Sequence, residues 1–197
     1  MNFQLKIASD IDISWAAKIS ELYFLSAKER GTGIAIRQPA YIAEKMTNGN
    51  AIIAFAKNEE EDKLHLAGFC YIEIFEGKKY VSNSGLTVVP KFRKKGLGKM
   101  IKERVFNLAR DKYTDAQVFG ITTSDSVMKM NSELGYRPVA FSKLTTDDAF
   151  WKGCNSCPNY DILQRNKRNI CLCTGMLAPS KNEKMKLDLT NKILKNK

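Results

Sequence analysis

Runs of apolar residues divide the chain into strands and helices. Strands are predicted where apolar residues run together or alternate with polar ones, and helices where they recur three and four positions apart. The predicted strands cover residues 3–8, 51–57, 64–75, 80–89, 117–122 and 137–144, with a last strand near 170–177. The predicted helices run from about residue 15 to 30, from Pro39 to about 46, from Leu97 to about 110, and from Ser124 to Gly135.

The order of these elements is β-α-α-β-β-β-α-β-α-β, followed by the last strand. A mixed order with a central strand–helix–strand crossover is typical of an α/β fold, in which helices cover a mixed sheet. We therefore predict an α/β sandwich built around a splayed, mixed central sheet. The sequence shows no internal repeat.

The helix that begins at Leu97 is predicted to be amphipathic. One face carries the apolar residues Leu97, Met100, Ile101, Val105 and Leu108. Lys102, Glu103 and Arg110 lie away from this face, on the polar side of the helix. This pattern predicts that the apolar face packs on the sheet.

The most informative segment joins the strand 80–89 to this helix. After Phe92 it contains three consecutive basic residues and two closely spaced glycines: Arg93, Lys94, Lys95, Gly96 and Gly98. A strand that enters a glycine-containing turn at a helix N-terminus presents free N–H groups and the positive end of the helix dipole. Such a turn binds phosphate groups, and glycine allows the ligand to approach closely.

The glycine spacing distinguishes this turn from two other phosphate-binding motifs. Gly96 and Gly98 lack the third glycine of a dinucleotide fingerprint, and Lys99 is not followed by the Ser or Thr of a P-loop. The remaining pattern, Arg-x-x-Gly-x-Gly after a Val-x-Pro strand end, resembles motif A of the GCN5-related N-acetyltransferases, the GNAT superfamily. Leu134-Gly135-Tyr136 resembles the second landmark of that family, a helix closed by Leu-Gly-aromatic. The resemblance covers residues 3–145 and the last strand.

The resemblance implies the GNAT fold and transfer of an acyl group from acetyl-CoA or succinyl-CoA to an amine. It implies that the CoA pyrophosphate is held by the turn Arg93, Lys94, Lys95, Gly96, Leu97, Gly98 and Lys99. The pantetheine arm would pair with the backbone of residues 86–89, including Leu86, Val88 and Val89, as an extra strand would. A peptide N–H near Val88 would then donate a hydrogen bond to the thioester oxygen.

A general base is needed to take a proton from the attacking amine. Members of the family often carry a carboxylate on the strand before motif A, and Glu73 is the candidate at that place. The two-residue period of a strand also allows Glu73 to lie on a solvated face. Ser82, Asn83 and Ser84 form a polar patch that could hold the acceptor or a water molecule.

The chain departs from the family pattern at Asn131. Many members have a tyrosine four residues before the glycine of the Leu-Gly-aromatic landmark, as proton donor to the leaving thiolate. The amide of Asn131 can hydrogen-bond CoA, but it cannot act as an acid near pH 7. Either another group, such as Tyr136, replaces the tyrosine, or the thiolate leaves unassisted.

The acceptor site in this family usually lies between the first two helices and the last strands. Arg30 and Arg37 flank a glycine-containing loop at that place. Guanidinium groups bind carboxylates in a bidentate manner, which favours a small acidic acceptor such as an amino acid. The alternative is that Arg30 only complements the dipole at the end of its helix.

Five cysteines divide into one isolated residue and one cluster. Cys70 falls within a strand and is predicted to be in the core. Cys154, Cys157, Cys171 and Cys173 form the pattern C-x2-C, thirteen residues, C-x-C. This pattern favours a tetrahedral structural zinc site, with reduced free thiols or redox activity as alternatives, and it fits an iron–sulfur cluster poorly.

The cysteine-rich tail resembles that of stand-alone GNAT proteins linked to arginine biosynthesis, whose acceptor is glutamate.

Length and composition favour one domain. The chain has 197 residues, of which 44% are hydrophobic. We assign residues 1–179 to a single GNAT domain that includes the cysteine-rich segment 146–175, and residues 180–197 to a basic tail.

No apolar run approaches the roughly 18–20 residues that span a bilayer, and the N-terminal residues lack a signal-peptide pattern. We therefore expect a cytoplasmic protein without disulfides or membrane contact.

The net charge of +11 favours a polyanionic ligand, such as nucleic acid or a cofactor with several phosphate charges. A basic zinc module that binds nucleic acid is the alternative from another class, but residues 166–170 lack the interleaved aromatic residues that stack on bases. A protein or peptide N-acetyltransferase is the second enzyme alternative. The expected partner is a small amine rather than nucleic acid, and the sequence leaves a homodimer open.

Overall fold

One mixed sheet organises the part of the chain that the structure, a computed structural model, describes: residues 2–31, 34–57 and 63–187. Its seven strands are β1 (Asn2–Ile7), β2 (Ala51–Lys57), β3 (Leu64–Phe75), β4 (Tyr80–Val88), β5 (Gln117–Thr122), β6 (Arg137–Val139) and β7 (Thr174–Ala178). They lie in the order β1-β2-β3-β4-β5-β7-β6. Neighbouring strands are antiparallel, except that β4 and β5 run parallel.

Helices cover both faces of the sheet. They are α1 (Ala16–Arg30), α2 (Pro39–Thr47), α3 (Leu97–Lys112), α4 (Asp125–Glu133), α5 (Asp148–Lys152) and α6 (Tyr160–Arg165). Side chains alternate between the faces of a strand, so Ile53 of β2 packs with α1 and α2, whereas Ile52 packs with α3. One apolar core cluster lies on each of these faces, and the cluster on the α3 side holds the first turn of α3 against the end of β4. The predicted α/β sandwich with a mixed central sheet is confirmed.

The sheet splays between β4 and β5. These strands pair only over residues 80–82 of β4 and 117–119 of β5, and no pairing between them follows Ser82. The register of β4 against β3 also shifts beyond Ser84. Gly85 has φ +67°, and any side chain at this position would collide with the rings of Tyr71 and Tyr23. The irregular strand therefore requires glycine here, and an open cleft lies beside it.

The C-terminal segment adds a third apolar cluster at the β5 end of the sheet. Its buried members are Phe75, Tyr80, Phe119, Phe141, Leu144, Trp151 and Leu163. The Glu76 carboxylate accepts hydrogen bonds from the Thr145 hydroxyl (2.8 Å) and the Thr146 amide (2.7 Å). These contacts connect the cysteine-rich segment to the turn between β3 and β4.

The beginning of the basic tail is ordered in the structure. Residues 181–187 are helical, and the Lys181 amide donates a hydrogen bond to the Thr114 carbonyl. The Gln117 amide donates to the Glu183 carboxylate, which places this segment beside the start of β5. Across the described ranges, no helix has both the length and the apolar character needed to cross a bilayer.

Several predicted elements differ from those observed. The strand predicted over 137–144 ends at Val139, because the chain turns into a short 3-10 segment that buries Phe141 in the third cluster. The last strand begins at Thr174 rather than near residue 170. Lys102 and Arg110 were predicted on the polar side of α3, but both are buried. The sequence also predicts a charged hairpin loop over residues 58–63, of which residues 58–62 lie outside the described part of the chain.

Candidate active site

Two adjoining cavities follow the splay between β4 and β5. The smaller has a volume of about 250 Å³ and the larger about 510 Å³. Both are lined by Ile34, Leu86, Thr87 and Val127, which places them end to end. The arrangement forms one cleft with a narrow entrance and a wider interior.

The narrow part of the cleft lies at the turn before α3. Lys94 has φ +61° and Gly96 has φ +79°, so the chain bends sharply before α3 begins at Leu97. Amides in the first turn of a helix have no acceptor within the helix. Gly98 lines the smaller cavity, and a Cβ there would contact only Val88, at 3.8 Å. The open space in front of Gly98 therefore suits a ligand that approaches the backbone, such as a diphosphate.

The residues predicted to hold the pyrophosphate have different positions. Arg93, Lys94 and Gly98 line the smaller cavity. The Arg93 guanidinium pairs with Glu29 at 2.8 Å and also donates to the Val88 carbonyl at 3.2 Å. Lys99 pairs with Glu133 at 2.8 Å, and Leu97 is buried in the core.

The remaining residues of the turn have other roles. Gly96 supplies the bend, whereas Lys95 and Lys99 are not among the residues that line either cavity. Backbone amides, together with Lys94 and Arg93, are thus the groups available to a phosphate in the described turn.

The backbone of β4 is suited to the pantetheine arm. The Val89 amide donates to the Ala67 carbonyl of β3 at 2.9 Å. Successive amides of a strand point to opposite edges, so the Val88 amide points away from β3 toward the splay. Leu86 and Val88 therefore border the cleft with an unpaired strand edge, while the Val89 amide is already occupied.

Glu73 lies in the larger cavity, with its side chain only 18% exposed. Its carboxylate accepts a hydrogen bond from the Tyr41 hydroxyl, and the Lys45 ammonium lies 3.8 Å away. Burial raises the pKa of Tyr41 well above its usual value, so this hydroxyl stays a neutral donor. The structure thus places Glu73 in the cavity rather than on a solvated face.

Arg37 also lines the larger cavity. Its Nε donates to the Tyr71 hydroxyl at 2.8 Å and its Nη1 donates to the Gly153 carbonyl at 3.0 Å. The guanidinium carbon also lies 5.5 Å from the centre of the Tyr41 ring. These partners fix the side chain without neutralising its charge. Arg30 is the last residue of α1, but its side chain lies outside the described part of the structure.

Neither Asn131, at the position of the family's tyrosine, nor Tyr136, the candidate to replace that tyrosine, faces the cleft. Asn131 is 1% exposed, and its amide nitrogen donates to the sulfur of Met176 at 3.3 Å. Burial raises the pKa of Tyr136 well above its usual value, which makes the phenol a weaker acid. Among the described lining residues of both cavities, neither of the two is present.

The four clustered cysteines lie along one wall of the larger cavity. Burial raises the pKa of Cys154 to about 11 and that of Cys173 to about 12, and the neighbouring thiols add to both shifts. Within residues 2–31, 34–57 and 63–187, no three His, Cys, Asp or Glu side chains are placed so that they could hold a metal ion. The thiols are neighbours in the cavity wall, and only their spacing in the sequence supports the zinc prediction.

The fold and the cleft define a class: the chain has the fold of the GCN5-related N-acetyltransferases, as the sequence motifs predicted. Among solved structures, it is similar to the N-acetylglutamate synthase of Neisseria gonorrhoeae in complex with CoA and N-acetyl-glutamate, with a TM-score of 0.61 and 16% identity. The match covers 91% of this chain and 35% of that one, so this chain spans about a third of the synthase.

Two further solved structures are matched by this chain over most of their own length. Rv2747 of Mycobacterium tuberculosis, in complex with CoA, has a TM-score of 0.60 and 16% identity, with 89% of this chain and 98% of that chain covered. A GNAT-family acetyltransferase of Staphylococcus aureus has a TM-score of 0.56 and 14% identity, with 75% and 92% covered. By sequence, the chain matches no protein-family model and no curated protein. At these identities the likeness establishes the fold.

Proposed function

We propose that the protein transfers an acyl group from acetyl-CoA or succinyl-CoA to the amine of a small acidic molecule, an amino acid such as glutamate. The cleft supports this proposal most directly. It begins at the glycine turn before α3, follows the unpaired edge of β4, and opens into a cavity that contains the Glu73 carboxylate and Arg37. A thioester and an amine can meet in such a cleft with a base beside them.

The residues suggest a role for each part of the reaction. The Val88 amide stabilises the oxyanion that forms on the thioester carbonyl. Glu73, directly or through a water molecule, takes the proton from the attacking amine. The carbon–sulfur bond then breaks and releases CoA.

The charge of Arg37 supports an acidic acceptor. Its guanidinium lines the cavity, and its hydrogen-bond partners there are neutral oxygens. The Glu73 carboxylate acts on Arg37 only through space, so a ligand carboxylate could still pair with the guanidinium directly. The complex of the N. gonorrhoeae synthase contains N-acetyl-glutamate, which carries two carboxylates, and this is consistent with an acidic acceptor.

A thiol-release assay tests the proposal. Acetyl-CoA and succinyl-CoA are each combined with glutamate, other amino acids, and a peptide with a free N-terminus. We expect CoA release that depends on a dicarboxylic amino acid, and a rise in melting temperature with CoA alone. Release with the peptide but none with amino acids would instead indicate a protein acetyltransferase. A melting temperature that responds to RNA and not to CoA would contradict the proposal.

Zinc at Cys154, Cys157, Cys171 and Cys173 stays a prediction from the cysteine spacing. If it is correct, purified protein contains about one zinc per chain, and a chelator lowers the melting temperature. Cys70→Ser, at a buried cysteine outside the cluster, should leave the zinc content unchanged. Less than about half an equivalent of zinc by elemental analysis would contradict this prediction.

A further inference from the structure

Lys102 is a buried cation at the inner end of the cleft. It lies on α3, is 2% exposed, and lines the larger cavity. Its ammonium donates a hydrogen bond to the Asn83 side-chain oxygen at 3.0 Å and lies 5.6 Å from the centre of the Tyr136 ring. Both partners are neutral, and the described ion pairs do not include Lys102. A buried charge of this kind requires compensation, which an anion in the cavity would provide.

The position of Lys102 coincides with the point where β4 and β5 separate. Ser82 is the last residue of β4 that pairs with β5, and Asn83 follows it. Beyond this point, Leu86 and Ile121 line opposite sides of the cavity. This step rests on the proposed function. If the CoA pyrophosphate is held at residues 93–98 and the pantetheine arm extends along β4, the CoA sulfur lies near the point where β4 and β5 separate.

We propose that the Lys102 ammonium donates a proton to the CoA thiolate as the carbon–sulfur bond breaks. The amine nitrogen forms its bond to the acyl carbon, and Glu73 accepts the proton that the nitrogen loses. The electron pair of the carbon–sulfur bond goes to sulfur, which takes a proton from Lys102. Neutral Lys102 then regains a proton from water, and Glu73 returns its proton to water. The products are the amide and CoA with a free thiol, so no further reactant is required.

The surroundings of Lys102 suit a proton donor. Burial lowers the pKa of the Lys102 amine to about 8, close to the value of about 8.5 for an ordinary thiol. The groups that face it are Asn83 of β4, the Tyr136 ring, and Cys70 of β3, whose sulfur is 3.3 Å from the same Asn83 oxygen. Burial raises the pKa of the Cys70 thiol to about 11, so it does not supply a negative charge. Lys102 would thereby donate the proton to the leaving thiolate, which Asn131 cannot do because an amide is not an acid near pH 7.

Two substitutions separate proton donation from charge. Lys102→Met keeps the length of the side chain and removes a buried charge, so we expect a folded protein with an unchanged or higher melting temperature. Lys102→Arg keeps the charge but cannot release a proton. We expect both variants to bind CoA and to lose turnover by about 100-fold. The wild-type turnover should fall as the pH rises through about 8, where Lys102 loses its proton, and this decline should be absent from both variants.

The ultraviolet absorbance of the thiolate gives a second readout that does not depend on turnover. Titration of bound CoA should show a lowered thiol pKa in the wild type and in Lys102→Arg, but not in Lys102→Met, because only a nearby cation stabilises the thiolate. Equal thiol pKa values and equal turnover in the wild type and Lys102→Met would overturn the proposal. A loss confined to succinyl-CoA would also overturn it, since the ammonium would then bind the acyl carboxylate. Failure of the wild type to bind CoA would reject the proposed function itself.

Discussion

Replacing Gly98 with glutamate should abolish CoA binding and leave the fold intact. Gly98 lies in the first turn of α3 with open space in front of it, and its nearest neighbour for an added Cβ is Val88 at 3.8 Å. The longer side chain enters the smaller cavity, and its negative charge repels the diphosphate. We expect the affinity for CoA, measured by calorimetry, to fall at least about 100-fold, which corresponds to about 2.8 kcal/mol.

Two controls separate the effect of the site from general effects. Gly98→Ala adds a methyl group without charge and favours the helix, so it should lower CoA affinity much less than Gly98→Glu. Met100→Glu introduces the same charge two residues further along α3 at a side chain that is 44% exposed and outside both cavities. Gly96 is a less informative site, because φ +79° strains any side chain there. A folded Gly98→Glu variant that binds CoA as tightly as the wild type would contradict the placement of the diphosphate.

The sequence was sufficient to predict several strands of the sheet and the glycine turn at the entrance of the cleft. The strands Ala51–Lys57, Leu64–Phe75 and Gln117–Thr122 have the predicted bounds, because each is a long apolar run between clear turn residues. The glycine turn before α3 was also predictable, because the positive φ of Gly96 favours glycine and so leaves a signal in the sequence.

The inner end of the cleft could not be predicted in the same way. Helical periodicity places Lys102 on the polar side of α3, yet the splay between β4 and β5 leaves a polar pocket beneath the sheet that receives its ammonium. The insertion of β7 between β5 and β6 is a long-range pairing that no local pattern specifies. The short helices α5 and α6, of five and six residues, have too few turns to show a period.

The partners of Glu73 show the same limit. Its place in the middle of β3 identified it as a candidate base, but the sequence placed Tyr41 only within the short helix that begins at Pro39. The hydrogen bond between Tyr41 and Glu73 joins residues 32 positions apart, and it depends on how α2 packs on the sheet. Chemistry that arises within one segment was therefore visible in the sequence, whereas chemistry that arises between segments required the structure.

Replacing Glu73 with glutamine should lower turnover strongly and spare the affinity for CoA. Glutamine has nearly the same shape and still accepts the hydrogen bond from Tyr41, but it cannot take a proton from the amine. We expect kcat to fall by about 100-fold or more, in the range usual for the loss of a general base. Because Glu73 lies in the larger cavity and not at the glycine turn, the dissociation constant for CoA should stay unchanged.

Glu44→Gln is the matched control for this substitution. Glu44 pairs with the same Lys45 at 3.1 Å, but its side chain is 57% exposed and does not line the cleft. The control makes the same chemical change on the same charge network, so its turnover should equal that of the wild type. If Glu73→Gln raises KM for the acceptor and leaves kcat intact, the carboxylate binds the acceptor's ammonium group and is not the base. If both variants turn over like the wild type, another group or bulk water takes the proton, and the cavity positions the amine without a base of its own.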